Sequence, residues 1–391
     1  MNAQEEKRRK NTTAAPLQQK RNEWRAPKPN EWKSIAPMAS DRECHLGLCV
    51  NDHQFLVIED NASEIAWCEY YDTRTRAWRD LPIIADLVSA MAESVYNLRY
   101  WFGIARVKNR IFLMNTHPNQ DPDFRSINVP DCDLSKVKSG DWKKLVPMKY
   151  ARFDYACVSH SNHIYVFGGH DFKDWNPPFI APERYDTETN KWTTLPNMPG
   201  GDRCACVAAV VGDKIYVVGG QSKTDIYSSV LVFDTAKQQW EPSSIDNNKN
   251  SSVGFESSTS NTAPIIVPDM NTLRFGMAVT AVDKFLIVIG GDPEVLPIEV
   301  LDTWTNSWNR AKSKIDHGRL KPVIGFLKET NEIILAGGST VGADAQPQTN
   351  AILTDGLLEI TRKRVLRYRV GATAGTLASL EPPSKKPRNC E

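Results

Sequence analysis

The sequence lacks the features that mark membrane, secreted and highly charged proteins. Its apolar runs are all far shorter than the roughly 18–20 residues that a transmembrane helix needs. The amino-terminal stretch has no apolar core of the kind found in secretory signals, so we expect a cytoplasmic chain. Basic residues number 48 and acidic residues 47, and this balance predicts neither a nucleic-acid nor a membrane partner.

Motifs for catalysis and metal binding are also missing from the sequence. No glycine-rich loop leads into Lys-Ser or Lys-Thr, and no serine stands in a G-x-S-x-G turn. The eight cysteines contain no C-x-x-C pair, and we expect Cys204 and Cys206 to be buried thiols rather than zinc ligands. The seven histidines are scattered, with His160 and His163 on either side of a hairpin. We therefore predict no catalytic residue, no metal site and no cofactor, and an enzyme is the less favoured class.

What the sequence does contain is a repeat with a period of about 50 residues. Two neighbouring units match closely, because His163–Gly169 (HIYVFGG) and Lys214–Gly220 (KIYVVGG) both end an apolar run with paired glycines. The glycine pair recurs at 290 and 337, and apolar runs that end near 59 and 115 occupy the same place in two earlier units. These six endpoints predict six units.

A second pattern marks four of the units. Asp72, Asp186, Asp234 and Asp302 are each followed by threonine and, six residues after the aspartate, by tryptophan. An aspartate at the start of a tight turn can accept hydrogen bonds from the backbone amides ahead of it, and threonine favours extended backbone. We therefore predict a turn at each aspartate and a strand, packed on the neighbouring unit, at each tryptophan.

Each unit also contains four short β-type runs, which in unit four are Cys206–Val211, Lys214–Val218, Ser229–Phe233 and Gln239–Trp240. A lone four-stranded meander leaves its edges and an apolar face uncovered, and radial stacking of the units covers both. The paired glycines after an apolar strand, the later aspartate and the tryptophan six residues beyond it resemble the kelch repeat. The resemblance implies an all-β fold, namely a six-bladed kelch-type β-propeller of four-stranded antiparallel blades.

We place this propeller at residues 23–370, between a disordered basic tail at 1–22 and a flexible tail at 371–391. Short basic runs in both tails are candidate nuclear-import signals. A Ser/Asn-rich insertion at about 243–263 is expected to be disordered, and helical spacing within 79–98 predicts a short amphipathic helix. Two segments could close the ring, namely a last strand at 365–368 or a clasping strand from 24–32.

A recurring arginine marks one rim of the predicted propeller. In a meander, the start of strand one and the end of strand two share a rim, and Arg99, Arg152, Arg203 and Arg274 each stand 16 residues before their strand-two endpoint. Arg42 and Arg319 occupy the same place at spacings of 17 and 18. We call this side of the molecule the arginine rim. The residues after the glycine pairs, such as His170 and Gln221, are expected to lie on it as well.

In kelch proteins this face commonly binds partner peptides, so the resemblance implies a partner-binding site. Its candidate residues are Arg99, Arg152, Arg203, Arg274, Arg319, His170 and Gln221, joined by Trp175 and Phe179 from a long loop. A ring of guanidinium groups favours an acidic or phosphorylated partner. An equally weighted alternative is that the arginines brace the blades by bonding loop carbonyls or carboxylates, for which their planar fork is suited.

The resulting expectation is a monomeric intracellular scaffold or adaptor that binds a protein or peptide partner. The family resemblance implies a ubiquitin-ligase substrate receptor or a cytoskeletal or signalling adaptor. The alternative function is a carbohydrate-active propeller enzyme of the epimerase or oxidase type, because kelch propellers also include such enzymes.

Overall fold

The computed structural model describes residues 32–38, 44–59, 67–81, 102–116, 123–137, 142–170, 180–201, 203–243, 266–292, 297–312, 315, 318–341 and 350–353. Within these ranges, six sheets have four antiparallel strands each. We number the sheets one to six in the chain order of their innermost strands, which we call the first strands of the sheets. Five of them are simple meanders, in which each strand pairs with the next one in sequence.

The strands of sheets one to three are β2 (Cys44–Cys49), β3 (Gln54–Glu59), β4 (Trp67–Asp72) and β5 (Ala77–Asp80); β6 (Phe102–Val107), β7 (Arg110–Asn115), β8 (Asp123–Asn128) and β9 (Lys143–Lys144); and β10 (Phe153–His160), β11 (His163–His170), β12 (Glu183–Asp186) and β13 (Lys191–Thr194). Two short 3-10 helices, Pro130–Cys132 and Leu134–Lys136, lie between β8 and β9. They occupy the place of the Asp-Thr turn that unit two lacks.

The strands of sheets four and five are β14 (Val207–Val211), β15 (Lys214–Val218), β16 (Val230–Asp234) and β17 (Gln239–Trp240); and β18 (Ala278–Val282), β19 (Phe285–Ile289), β20 (Glu299–Asp302) and β21 (Ser307–Arg310). Sheet six consists of β23 (Val323–Leu327), β24 (Glu332–Ala336), β26 (Asn350–Leu353) and β1 (Lys33–Ser34), in that order. A separate two-stranded sheet pairs β22 (Gly318–Leu320) with β25 (Ser339–Val341).

The first strands of the sheets, β2, β6, β10, β14, β18 and β23, contact one another in chain order, and β23 also contacts β2. In the described part of the chain, the hydrophobic core consists of clusters between neighbouring sheets, including one that joins Phe55 and Tyr71 of sheet one to Ile334 of sheet six. Each apolar sheet face is therefore covered by the next sheet. The predicted all-β propeller of four-stranded antiparallel blades is confirmed, and the strands of unit four agree with the prediction to within one residue.

The outermost strand of sheet six comes from the amino-terminal side of the chain. Lys33 pairs with Ala351 and Ser34 pairs with Asn350. A clasping strand was one of the two predicted routes, although it lies just beyond the predicted window of 24–32. The other route, at 365–368, lies outside the described residues, as do the insertion at 243–263 apart from Ser243 and the predicted helix from residue 82 onward.

Charged contacts on the opposite rim also join sheets one and six. Arg76 donates both hydrogen bonds of a bidentate pair to the buried carboxylate of Glu332, at 2.8 and 2.7 Å. Arg74 pairs with Glu329 at 2.8 Å, and the Glu329 amide donates to the Asp52 carbonyl at 2.9 Å. Sheets one and six are thus held together by side chains as well as by β1.

The repeated aspartates cap tight turns as the sequence predicts. Asp186 Oδ1 accepts from the amides of Glu188 and Thr189 at 2.8 and 3.1 Å, and Asp234 and Asp302 make the corresponding bonds. The threonine that follows has an additional role, because the Thr187 hydroxyl donates to the Asn162 carbonyl at 2.8 Å. The turn between strands three and four is therefore tied to the hairpin between strands one and two.

The repeated tryptophans fasten each sheet to the connection that precedes it. The Trp192 indole donates to the Val146 carbonyl at 2.8 Å, and its ring lies 5.7 Å from that of Phe124 in sheet two. Trp78, Trp240 and Trp308 make the same type of bond to Ala36, Pro196 and Pro268. The predicted packing of these tryptophans on the neighbouring unit is confirmed.

Acid should weaken the Asp186 turn. Its amide hydrogen bonds hold the pKa of the Asp186 carboxyl below its usual 3.8. The pKa of this carboxyl is therefore lower in the folded protein than in the unfolded chain. The stabilisation is present above the unfolded-state pKa and is lost as the pH falls through the folded-state pKa. We expect Asp186→Asn to reduce stability by less than about 1 kcal/mol at neutral pH, since the carboxyl is partly exposed. The melting temperatures of the wild-type protein and the variant should converge in acid. A difference in melting temperature that does not change with pH would contradict a charge effect.

Candidate partner-binding rim

The described arginines of the arginine rim all make the same first contact. The Nη1 group of each donates to the carbonyl of the first glycine in its own sheet. The bonds are Arg152 to Gly168 at 3.1 Å, Arg203 to Gly219 at 3.1 Å, Arg274 to Gly290 at 3.3 Å and Arg319 to Gly337 at 3.0 Å. The constant sequence spacing therefore reflects a contact within each sheet between the start of strand one and the end of strand two.

The backbone carbonyls of the same arginines bind the preceding sheet. Arg203 O accepts from the Gly169 amide at 2.9 Å, and Arg274 O and Arg319 O accept from Gly220 and Gly291 at 3.0 and 2.8 Å. Sheet two has no glycine pair, and there the Thr116 hydroxyl donates to Arg152 O at 2.6 Å. Each arginine thus links its own sheet to the previous one.

The glycine pairs are required for this close approach. Gly168, Gly219 and Gly290 have φ values of +66°, +55° and +73°, in the left-handed region that favours glycine. A Cβ atom added to Gly168 would lie 2.3 Å from the Arg203 carbonyl oxygen. The paired glycines and the recurring arginine are therefore two halves of one junction between neighbouring sheets.

In two sheets the arginine also pairs with a buried glutamate at the start of strand three. Arg152 Nη2 lies 2.8 Å from Glu183, and Arg274 Nη2 lies 2.6 Å from Glu299. The side chains in both pairs are at most 1% exposed. Burial lowers the pKa of Arg152 and Arg274, and the neighbouring carboxylates act in the opposite direction.

Sheet four departs from this arrangement because Leu231 stands at the register position of the glutamate, and its arginine instead contacts Ser229, two residues earlier. Arg203 bonds the Ser229 hydroxyl at 3.0 Å and lies 4.7 Å from the centre of the Tyr227 ring. Among the described residues it has no ion-pair partner, and its Nε has no hydrogen-bond partner. Burial lowers the pKa of Arg203 as well. Arg203 is therefore a buried cation held by carbonyls, a hydroxyl and an aromatic ring.

The contacts agree with the bracing alternative for Arg152, Arg203, Arg274 and Arg319. Their exposed fractions are 0, 1, 0 and 4%, so their guanidinium groups face the interior of the sheet junctions. Sequence spacing found the correct positions but could not show whether the side chains point outward. Binding of a partner on this rim is not tested by these contacts and stays a prediction.

The remaining predicted site residues are placed differently. His170 ends β11 and is 5% exposed, with its ring against Phe153. Gln221 is half-buried and exchanges two backbone hydrogen bonds with Cys204, at 2.8 and 2.9 Å. Arg99, Trp175 and Phe179 lie outside the described residues.

Two exposed apolar side chains on the arginine rim were missed by the sequence analysis. Tyr150 and Leu273 precede Arg152 and Arg274 by two residues and one residue, and they are 40% and 55% exposed. The Lys149 ammonium lies 4.9 Å from the centre of the Tyr150 ring. The sequence did offer a signal for them, namely an apolar side chain within two positions before the recurring arginine.

Comparison with known proteins identifies the repeat. Residues 102–267 match the model of the KLHDC2/KLHL20/DRC7 Kelch-repeats domain. Kelch-like protein 26 of Danio rerio is 25% identical over 253 residues, which cover 63% of this chain and 37% of that protein. Together with the sheet architecture, these matches decide the family. The chain belongs to the kelch-repeat family.

Other relatives share shorter stretches with this kelch protein. An F-box/kelch-repeat protein of Arabidopsis thaliana is 35% identical over 101 residues, which cover 25% of this chain and 26% of the relative. Kelch-like protein 15 of Homo sapiens is 33% identical over 113 residues, which cover 27% of this chain and 18% of that protein. The matched regions thus span only about a quarter of these relatives or less.

The kelch propeller also has an axial cavity of about 210 Å³. It is lined by the first strands of all six sheets, including Gly103, Tyr155, Cys157, Cys206 and Val323. Burial raises the pKa of the Cys157 and Cys206 thiols to about 12 and about 11. Both thiols are therefore protonated at neutral pH and weakly nucleophilic.

The described residues also bear on metals and membranes. Among them, histidine, cysteine, aspartate and glutamate side chains form no group of three or more that could hold a metal ion. In the same ranges, no helix has the length and apolar character needed to cross a bilayer. The six cysteines whose side chains are described are free thiols, namely Cys49, Cys68, Cys132, Cys157, Cys204 and Cys206.

Proposed function

We propose that this kelch propeller binds a partner protein through its arginine rim. Family membership supports a protein-interaction propeller. The observation that carries the choice of face is the exposure of Tyr150 and Leu273 beside the buried arginines. Exposed aromatic and apolar side chains on a rigid backbone are the usual anchors of protein interfaces.

In this proposal the arginines act indirectly. Each guanidinium group holds the glycine turn of its own sheet, and each arginine carbonyl holds the turn of the previous sheet. The loops that leave these turns would therefore be presented by a rigid frame. Pre-ordered loops lose less conformational entropy when a partner binds, which favours affinity.

We also infer that the six sheets are the six blades of one closed ring. The cyclic contacts of the first strands support this count, and so does the apolar cluster between sheets one and six. The pairing of β1 with β26 supports closure by a strand from the amino-terminal side. Such a ring would leave one arginine rim as a continuous binding face.

We propose that the protein acts as an adaptor. The F-box/kelch-repeat relative favours an adaptor that presents substrates to a ubiquitin ligase, and a cytoskeletal or signalling adaptor is the other candidate. We propose a monomeric protein that acts in the cytoplasm or the nucleus. The exposed chemistry of the rim favours a partner with apolar anchor residues, and an acidic or phosphorylated partner would need cations other than the buried arginines.

Affinity capture with surface variants tests the choice of face. We expect the Tyr150→Ser/Leu273→Asp variant to capture its specific partners more than about tenfold less efficiently, because interface anchors contribute most of the binding energy. Trp304→Ser is the matched control, because Trp304 is 80% exposed and lies in the Asp302 turn of the opposite rim. Retention of every partner by the double variant, or an equal loss with Trp304→Ser, would show that this rim is not the binding face.

A further inference from the structure

The residues two positions after the arginines form a circuit at the axial end of the arginine rim. Ala205 N donates to Asp154 O at 2.8 Å, Gly276 N donates to Ala205 O at 2.9 Å, and Lys321 N donates to Gly276 O at 2.6 Å. These bonds run through sheets three, four, five and six in order. The four residues thus form a continuous backbone arc beside the start of the first strands.

A side-chain ion pair closes the arc. The Lys321 ammonium bonds the Asp154 carboxylate, joining sheet six directly to sheet three. The first strands of these two sheets are not neighbours in the contact order described above. The side chains of Lys321 and Asp154 are only 17% and 12% exposed. A pair that connects non-neighbouring sheets of the propeller must extend across the axial region between them.

The backbone of this arc is strained as well as ordered. Asp154, Ala205 and Lys321 have φ values of 56°, 49° and 54°, in the left-handed region that residues other than glycine rarely adopt. Such conformations persist only where the surroundings hold them, and they concentrate at switch regions and ligand clamps. Three such residues in one circuit indicate that the surrounding sheets hold the shape of the circuit against the local conformational preference.

The arc lies directly above the axial cavity. The residues that line the cavity on this side immediately follow the arc residues in sequence, namely Tyr155, Cys206, Met277 and Pro322. Of the four links in the circuit, three are backbone hydrogen bonds that belong to the sheet junctions. The fourth is a flexible lysine side chain, which can swing away without disturbing any strand.

We propose that the Asp154–Lys321 pair is a gate over the part of the axial cavity that sheets three to six line at the arginine rim. With the pair formed, the arc and the ion pair make a closed loop over this part of the mouth. With the pair broken, this part is open to small neutral molecules, which suit walls made of apolar side chains, thiols and a tyrosine. The inference does not depend on the proposed partner-binding function.

Thiol labelling tests the gate, because Cys157 and Cys206 line the cavity. The probe is methyl methanethiosulfonate, a small neutral reagent, applied to the full chain at fixed pH and followed by peptide mass spectrometry. We expect Lys321→Met and Asp154→Asn each to raise the labelling rates of these cysteines about fivefold, the factor that corresponds to an ion pair at the upper end of the surface range.

Two controls separate gating from unfolding. Cys68 is buried in the core between sheets one and two and is not a cavity residue, so its rate should stay unchanged. Lys284→Met removes an ion pair of similar exposure, with Asp302 at 2.8 Å, away from the cavity. The proposal is overturned if Cys157 and Cys206 keep their wild-type rates in both gate variants. It is equally overturned if the labelling rate of Cys68 rises in parallel, or if Lys284→Met raises the labelling rates of Cys157 and Cys206 by the same factor.

Discussion

Replacing Arg274 with methionine is expected to lower the free energy of unfolding by about 3–5 kcal/mol, because it leaves the Glu299 carboxylate buried without its countercharge. Glu299 is 0% exposed, and Arg274 is the residue that forms an ion pair with it. Hydrogen bonds from Asn271 and Thr272 would remain. These neutral donors satisfy the oxygens but do not supply a positive charge.

Sheet four provides the matched control for this variant. Arg203 makes the same carbonyl contact as Arg274, but in the described part of the chain no carboxylate pairs with it. Arg203→Met therefore removes hydrogen bonds without stranding an anion, and its expected cost is about 1–2 kcal/mol. Denaturant and thermal unfolding of both variants would measure the difference.

A second substitution separates charge from packing. Adding Glu299→Gln to the Arg274→Met protein removes the stranded charge and should recover about half of the lost stability. An equal loss in Arg274→Met and Arg203→Met, or no recovery in the double variant, would mean that the ion pair contributes little. The arginines would then act through their carbonyl contacts alone.

The same comparison shows what the sequence could predict about this rim. A fixed spacing of 16 residues located Arg152, Arg203 and Arg274 because it reflects a repeated contact with the first glycine. The spacing carries no information about side-chain direction, because the partners of the guanidinium groups, Glu183, Glu299 and Ser229, do not all recur at one position of the repeat. Burial of the arginines therefore became visible only in three dimensions.

Other parts of the fold differ in predictability for physical reasons. The Asp-Thr turns could be predicted because an aspartate and the amides that it caps lie within three residues. The clasping strand is only two residues long, so it has no alternation of apolar and polar residues to mark its position. The Asp154–Lys321 pair joins residues 167 positions apart, and only the cyclic arrangement of sheets brings them together.

Replacing Gly168 with alanine is expected to destabilise the propeller by more than about 3 kcal/mol, as a left-handed conformation costs about 1–2 kcal/mol and a steric clash adds to it. The new Cβ would lie 2.3 Å from the Arg203 carbonyl oxygen. Relief of that clash would separate sheets three and four. It would also strain the bond from the Gly169 amide to the same oxygen.

Gly212→Ala isolates the conformational part of this cost. Gly212 has a φ of +59°, close to the +66° of Gly168, but a Cβ there would have no atom within 4 Å. Its substitution should therefore cost only about 1–2 kcal/mol. Unfolding experiments on the two variants compare nearly the same φ with and without a neighbouring carbonyl. Similar losses of stability would mean that backbone conformation alone requires the glycine. A larger loss at Gly168 would mean that the junction with Arg203 requires it.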